Sequence, residues 1–325
     1  MKKTYLVLLL AFVSLNLCAQ HVLFPVKLGA KWGYLDAAGK MTINPQFDDA
    51  KEFTDGLAPV KTANLWGYVN TSGKLTVNPQ FQDVRKFRNG YAAVKQNGQW
   101  GFINKEGGFA VAPQFSEAGD FSEDLAAVKI STSWAFIDAK GKIVVNPQFN
   151  NAMEFSNGLA PVQIGLAWGY INRQAKYIIN PQFEKAGIFS DGLAPVKLKG
   201  KWGYVNTQGE MIIPYQFSDA RGFNNSLAAV RIGNLWGYIN VEGKYHINPK
   251  FEADAGFGGD EKDFSDGLAA VRIDGKWGYI DKQGNIVINP QFSSAASFNN
   301  GVAAVKSAGK NAYIDKNGRV FWLQN

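Results

Sequence analysis

Tryptophan recurs along this chain at a fixed interval. Trp32, Trp66, Trp100, Trp134, Trp168, Trp202 and Trp236 stand 34 residues apart, Trp277 follows after 41, and Asn311 occupies the place of a ninth. A strict period of this length means one supersecondary unit repeated, each copy hiding its apolar face against its neighbours. The cleanest copy is residues 268–290, LAAVRIDGKWGYIDKQGNIVINP.

Two short runs, Leu268 to Ile273 and Lys276 to Asp281, are joined by Asp274-Gly275. That dipeptide suits a type I′ hairpin turn, which needs φ > 0 twice. The pairing then follows: Ile273 with Lys276, Arg272 with Trp277, Val271 with Gly278, Ala270 with Tyr279. Paired residues share a face, so Ala269, Val271, Gly278 and Ile280 lie on one side and Ala270, Arg272, Trp277 and Tyr279 on the other. The columns agree. Val271 is Val in all nine copies, and Ala269 is Ala in all but the first, which has Phe24. Gly278 is replaced only by Ala135 and Ala312, which implies close approach by another backbone or ring. The Arg272 column is Lys or Arg except for Gln163, placing a cation beside each indole.

The Asp281 column is always Asp or Asn, with Gly three residues on except at Ala175. This pattern suits a type I turn closing on a left-handed residue. A third strand follows and is expected to end at Pro290, which has no amide to donate. The remaining twelve positions of the period read Pro-Gln-Phe-x-x-Ala-x-x-Phe-x-x-Gly. Both Phe columns are complete over eight connections, Phe47 to Phe292 and Phe53 to Phe298. The segment is thus held at two buried points, and its Gly and Asx residues argue against a long helix.

The expected fold is all-β: nine three-stranded antiparallel meanders of about 34 residues in an open solenoid or superhelix. The alternative is a closed β-propeller. It ranks second because propeller blades usually have four strands in about 40–50 residues, and because no unit is split between the two ends of the chain. The structural core is assigned to Trp32, Trp66, Trp100, Trp134, Trp168, Trp202, Trp236 and Trp277 with Phe53, Phe87, Phe121, Phe155, Phe189, Phe223, Phe264 and Phe298. In a rival reading the Trp/Tyr face is open and stacks on sugar rings.

Residues 1–19 read as a signal peptide: Lys2 and Lys3, an apolar run from Tyr5 to Val13, and Leu17-Cys18-Ala19 before Gln20. The apolar run is too short to span a bilayer. The runner-up is a lipoprotein acylated at Cys18. Residues 20–325 form a single domain, whose last unit, 302–325, is an atypical cap. The expected location is secreted or periplasmic, with no membrane span once the leader is removed. Without the leader, 34 − 2 = 32 basic residues face 27 acidic ones, spread evenly along the repeats. That balance fits a solvated face rather than nucleic-acid binding.

Cys18 is the only cysteine, so a chain without its leader has neither disulfides nor thiol chemistry. Of the two histidines, His21 lies at the new N-terminus and His246 mid-strand. No metal-ligand spacing, phosphate-binding glycine motif or nucleophile elbow is present. No catalytic, metal or cofactor residue is assigned, and the chain is expected not to be an enzyme.

One connection breaks the period. Twelve residues rather than five separate Phe251 from Phe264, a seven-residue insertion within 252–263. Asp254, Phe257, Asp260, Glu261 and Asp263 form a candidate partner loop, although most such loops are merely solvated and loop closure makes them cheap.

Lys-Trp-Gly-Tyr-Ile-Asp, the following Gly, Asn-Pro-Gln-Phe and Gly-Leu-Ala-x-Val together resemble the WG, or KWG, repeat family. The resemblance spans all nine units. It implies a β-repeat protein, often a whole secreted chain, and no particular activity. The expected function is an exported, non-catalytic scaffold for a protein partner at the cell envelope, with a glycan-binding module as the alternative.

Overall fold

The computed structural model describes residues 22–253 and 263–324. The expected signal peptide and most of the candidate partner loop, including Asp254, Phe257, Asp260 and Glu261, lie outside them. The described residues form nine antiparallel sheets, one per repeat, seven with four strands and two with three. Blade 2 is representative. Its strands are Asp49–Ala50, Leu57–Thr62, Leu65–Asn70 and Leu75–Phe81, hydrogen-bonded in that order.

The central hairpin has the register its turn dictates. In blade 8, Ile273 pairs with Lys276, Arg272 with Trp277, Val271 with Gly278 and Ala270 with Tyr279. Asp274 and Gly275 both have positive φ, 48° and 72°, as a type I′ turn needs. At the next turn the Asp281 carboxylate accepts from the amides of Gln283 and Asn285, and the Gly284 amide donates to the Asp281 carbonyl. This Asx geometry recurs at Asp36, Asn70, Asp138, Asn172, Asn206 and Asp315.

The third strand does not stop at its proline. In blade 8 it runs Ile286–Phe292, through Pro290, and Phe292 pairs with Trp277. Between that pair and Tyr279–Ile288, four residues of the third strand span two of the second, so the strand bulges outward. Proline is tolerated because this is the edge strand and its bulged residues need no ladder amide. The bulge also explains the glycine beside each tryptophan. A Cβ on Gly278 would lie 2.5 Å from the Ile288 carbonyl oxygen and 2.7 Å from the Pro290 nitrogen. The close approach is therefore by the blade's own third strand. Blade 4 keeps the same bulge with Ala135, so a methyl group is accommodated there by local adjustment.

Two expectations are overturned. The first is the three-stranded unit. In blades 2 to 7 and 9 the connecting segment supplies a short fourth strand: in blade 2, Asp49 pairs with Lys61 and Ala50 with Val60. This strand reaches the first long strand through a second tight hairpin. Asp55 and Gly56 have φ of 52° and 83°, and Thr54 and Leu57 exchange both backbone hydrogen bonds. The same double-positive turn occurs at Asn89-Gly90, Glu123-Asp124, Asn157-Gly158, Asp191-Gly192, Asn225-Ser226, Asp266-Gly267 and Asn300-Gly301. A strand this short fits four strands into 34 residues.

The second correction concerns the open array. The nine blades close into a ring, so the fold is a β-propeller. Three contacts recur at the blade-to-blade joints. The second-strand aromatic meets the second Phe of the following connection edge-on or tilted, at 4.7–5.0 Å between centroids, as in Tyr34–Phe53 and Tyr279–Phe298. The hydroxyls of Tyr34, Tyr68, Tyr170, Tyr204 and Tyr279 donate to a backbone carbonyl of the same connection, as Tyr34 does to Lys51 and Tyr279 to Ala296. The turn glycine of the following blade lies over the third strand of the preceding one, as Gly73 does over Ile43.

All three contacts occur between the ends of the chain. Tyr313 packs on Phe24 at 5.7 Å, its hydroxyl donates to the Pro25 carbonyl at 2.7 Å, and Gly39 lies against Phe321. Among the described residues no strand is exchanged. Blade 1 keeps Leu23–Leu28, Lys31–Asp36 and Met41–Phe47, and blade 9 keeps Ser294–Ala295, Val302–Ser307, Lys310–Asp315 and Val320–Leu323. Among the described residues, side-chain contacts close the ring without a split unit.

The hydrophobic core is a series of clusters at the blade joints, each drawing on two neighbouring blades. One unit cannot bury its aromatic residues alone, so the repeat is stable only as an assembly.

Candidate functional site

Because the short fourth strands are innermost, the connecting segments meet around the ring axis. They line a central cavity of about 1100 Å³ that touches six consecutive blades, from Arg85 and Arg88 through Asp120, Glu154 and Arg221 to Asp263. A second hollow of about 370 Å³, lined by Lys51, Glu52, Arg85, Lys86 and Asp120, adjoins it through shared residues. The wall between the fixed Ala50 and Phe53 columns is therefore the lining of the channel.

The tight turns that begin each first long strand are tied to one another. The Asp55 carboxylate accepts from the Gly90 amide, Glu123 from Gly158, Asn157 from Gly192, Asp191 from Ser226 and Asp266 from Gly301. The hydroxyls of Ser122, Ser156 and Ser190 donate to the carbonyls of Phe155, Phe189 and Phe223 in the next blade. The rim thus carries a belt of blade-to-blade hydrogen bonds that fixes the lining side chains in relation to one another.

The lining is charged and differs from blade to blade. Arg88 pairs with Glu154, two blades away. Lys51 lies 4.6 Å over the Trp66 ring, Arg85 5.7 Å over Trp100 and Arg221 5.9 Å over Trp236. The neighbouring column adds Lys61 over Trp66 and Arg231 over Trp236. In each case the charged group itself lies over the indole face. Asp120 Oδ1 and Arg221 Nε are enclosed atoms for which no hydrogen-bond partner is found among the described residues.

The sequence-assigned aromatic residues are placed as follows. Trp66, Trp168, Trp236 and Trp277 are buried, while Trp32, Trp100, Trp134 and Trp202 are half-buried. Phe87, Phe121, Phe155, Phe189, Phe223, Phe264 and Phe298 are buried, and Phe53 is half-buried. Tyr34, Tyr68, Tyr170, Tyr204, Tyr238 and Tyr279 are almost wholly enclosed, and burial raises each phenol above its ordinary 10.0. The tyrosine rings therefore offer no open face on which a sugar could stack. Of the candidate partner loop, Asp263 is described, and it lines the central cavity.

Sequence reasoning did not find Arg85, Arg88, Asp120, Glu154 and Arg221. The available signal was variability inside a fixed frame. The position after the Ala50 column runs Lys51, Arg85, Gly119, Met153, Gly187, Arg221 and Ala296, while the Ala and Phe columns around it hardly change. Among the described residues, no group of three His, Cys, Asp or Glu is placed to hold a metal ion, and no helix is long and apolar enough to cross a membrane.

The chain is similar in fold to a crystallised eukaryotic initiation factor, with a TM-score of 0.65 at 12% identity over 94% of this chain and 96% of that one. It is also similar to Hsv2 of Kluyvelomyces marxianus, with a TM-score of 0.48 at 12% identity over 72% of this chain and 93% of that one. At such identity the first likeness concerns fold alone, and the second is too low to carry an argument. No curated protein matches the chain. The family model described as "WG containing repeat" matches residues 32–66, 66–100, 100–131, 134–165, 168–202, 202–236, 236–277 and 277–310. Its boundaries fall largely on the tryptophans whose paired strands, bulged third strand and neighbouring glycine define each blade, so this chain belongs to the WG repeat family and is a repeat scaffold.

Proposed function

We propose that this propeller is an exported, non-catalytic scaffold that holds a protein partner at its central channel. The supporting observation is the contrast between columns within the one chain. Core columns repeat: Val26 to Val305 is Val nine times, and two Phe columns are complete. The channel column next to them changes from Lys51 to Gly119, Met153 and Arg221. A wall that only filled space would repeat like the core. One that differs at each step presents a single asymmetric pattern, as a specific partner needs.

The partner suited to this lining is a polar loop of mixed charge. Acidic groups on it would meet Arg85 and Arg221, and basic groups would meet Asp120 and Asp263. Fixed charges in a confined cavity act more strongly than on an open surface. Asp263 brings one acidic residue of the insertion to the same wall, which supports reading loop and channel as one binding face. Export rests on Lys2, Lys3, the apolar run and the Ala19-Gln20 boundary. Mass spectrometry of the exported protein is expected to find Gln20 at its N-terminus, and a lipid on Cys18 would replace this with a membrane-anchored form.

A photo-crosslinking residue at Ile188, inside the channel, tests the binding face, with one at Ile178 on an outer strand as the control. The expected result is a discrete protein adduct in the cell envelope from position 188 and none from 178. Adducts from 178 alone, or calorimetric binding of cell-wall glycans with no protein adduct, would overturn the proposal.

A further inference from the structure

We propose that the joint between blades 9 and 1 is an acceptor site for one extended strand of another protein, carrying an acidic residue followed by a bulky apolar one. This surface is separate from the channel face, and either reading can fail without the other.

Seven blades place a short strand along the inner edge of their first long strand. Among the described residues blade 1 does not, and Leu23–Leu28 is the edge of a three-stranded sheet. The edge shows what it lacks. In blade 2 the Pro59 carbonyl accepts from the Lys51 amide, and the Lys61 carbonyl accepts from Asp48. At the corresponding Pro25, among the described residues, the carbonyl accepts instead from the Tyr313 hydroxyl.

The same joint differs from the others in a second respect. At other joints the tryptophan packs with the small residue of the next blade's short strand, as Trp66 does with Val84, Trp168 with Ala186 and Trp277 with Ala295. At this joint the tryptophan is replaced by Asn311. The result is a cavity of about 290 Å³ between Val26, Lys27 and Trp32 on one side and Val305, Asn311 and Trp322 on the other. Among the described residues, it lies where other joints hold a short strand and the tryptophan of the preceding blade's second strand. Strand addition to such an edge gives backbone pairing, and a pocket for alternate side chains gives selectivity.

The seven joints whose short strand is described define the occupant. The residue opposite the Lys27 column is Asp49, Asp83, Glu117, Asn151, Lys185, Asp219 or Ser294, so it is acidic in four of seven. Two of these form ion pairs, Lys129–Glu117 at 2.7 Å and Arg231–Asp219 at 3.8 Å. The next residue, opposite the Val26 column, is always Ala or Val. Here Asn311 leaves room for a large side chain instead. In repeat register this chain's own residues at those two places are Leu15 and Asn16, which are neither acidic nor bulky and apolar in that order. Phe24 already supplies the ring that a connecting Phe would bring.

The probe is a fluorescein-labelled peptide, PQFSEWGDF, which copies residues 113–121 with the alanine enlarged to tryptophan, added to the full chain and followed by anisotropy. Saturable binding is expected. Changing the peptide tryptophan to glycine should weaken binding at least about tenfold, and changing its first acid to lysine about threefold, the scale of an exposed ion pair. Lys27→Glu should reverse that charge preference, and Asn311→Trp, which fills the cavity, should abolish binding. If Asn311→Trp fails to fold, the charge reversal alone decides. Absence of saturable binding, or binding indifferent to Lys27→Glu, overturns the proposal. So does a dimer in sedimentation that the peptide dissociates, since the slot would then belong to a second copy.

Discussion

Replacing Phe24 by alanine separates a ring from an array with one substitution. Alanine is the residue at this column in the other eight copies, Ala58, Ala92, Ala126, Ala160, Ala194, Ala228, Ala269 and Ala303. In an open array Phe24→Ala would restore the common residue at a free end and cost little. In the ring, Phe24 is 6% exposed and packs on Tyr313 across the closing joint. Truncating a buried Phe removes its transfer free energy and leaves a cavity, together about 3–5 kcal/mol. The tilted ring pair accounts for about 0.5–1.5 kcal/mol of such a contact. A loss of this size is a large share of a domain stability of about 5–15 kcal/mol. Chemical denaturation measures the total, and amide exchange locates it, with the largest gains expected in blades 1 and 9 and small ones in blade 5. A loss below about 1 kcal/mol, within the ordinary range for a surface change, would refute the packed joint.

Three further outcomes follow from the same contacts. Trp168→Ala, in a central joint where the indole is buried, is expected to lower stability by about 3–5 kcal/mol by denaturation, whereas Asn311→Ala should lower it by less than about 1 kcal/mol. Gly169→Ala is expected to cost about 1–3 kcal/mol, because its Cβ would lie 2.5 Å from the Ile179 carbonyl oxygen, while the reverse change Ala135→Gly should be nearly neutral; calorimetric melting of both variants checks the pair. The enclosed tyrosines have phenols raised above 10.0, chiefly by burial. Their folded state holds the proton more tightly than the unfolded one, so this contribution to stability is complete below pH 10 and is lost as pH climbs above it. Tyrosinate absorbance should therefore rise in one step with alkaline unfolding, and a gradual rise in a still-folded protein would contradict the burial.

The blade was more legible in the sequence than the ring. Asp274-Gly275 set the hairpin register to the residue, because a two-residue type I′ turn permits only one pairing. Asp281 with Gly284 identified the second turn for the same kind of reason. The fourth strand was missed although its signal was identical: Asp55-Gly56 and all seven of its counterparts contain an Asx at a double-positive turn. A strand of two residues has no hydrophobic alternation from which to read it. Ring closure was nearly invisible, since blade curvature comes from packing angles that no residue pattern states. One exception pointed to it. Phe24 breaks an otherwise uniform alanine column, and its ring packs on Tyr313 across the closing joint, where the other joints use a connecting Phe.

The channel was legible only in hindsight, as the changing column between Ala50 and Phe53. Repetition draws the eye to what recurs, and a binding wall is composed of what does not. Asp263 reads in the sequence as part of an outward loop, yet it faces the central cavity, because the retained Phe264 returns the insertion to the same anchor as every other connection.

The central claim is that nine blades close on themselves, and a distance between the chain ends tests it most directly. Lys27 and Lys306 line the same cavity from opposite sides of the closing joint, although 306 − 27 = 279 residues separate them. Spin labels at these positions, in a chain with Cys18→Ser, can be compared by pulsed electron paramagnetic resonance with labels at Lys27 and Lys61 on adjacent blades. The ring predicts one narrow distance distribution for 27 and 306, matching the adjacent pair. A distribution centred well beyond the adjacent-blade distance, or a broad one, would mean that the ends are apart and the ring is open.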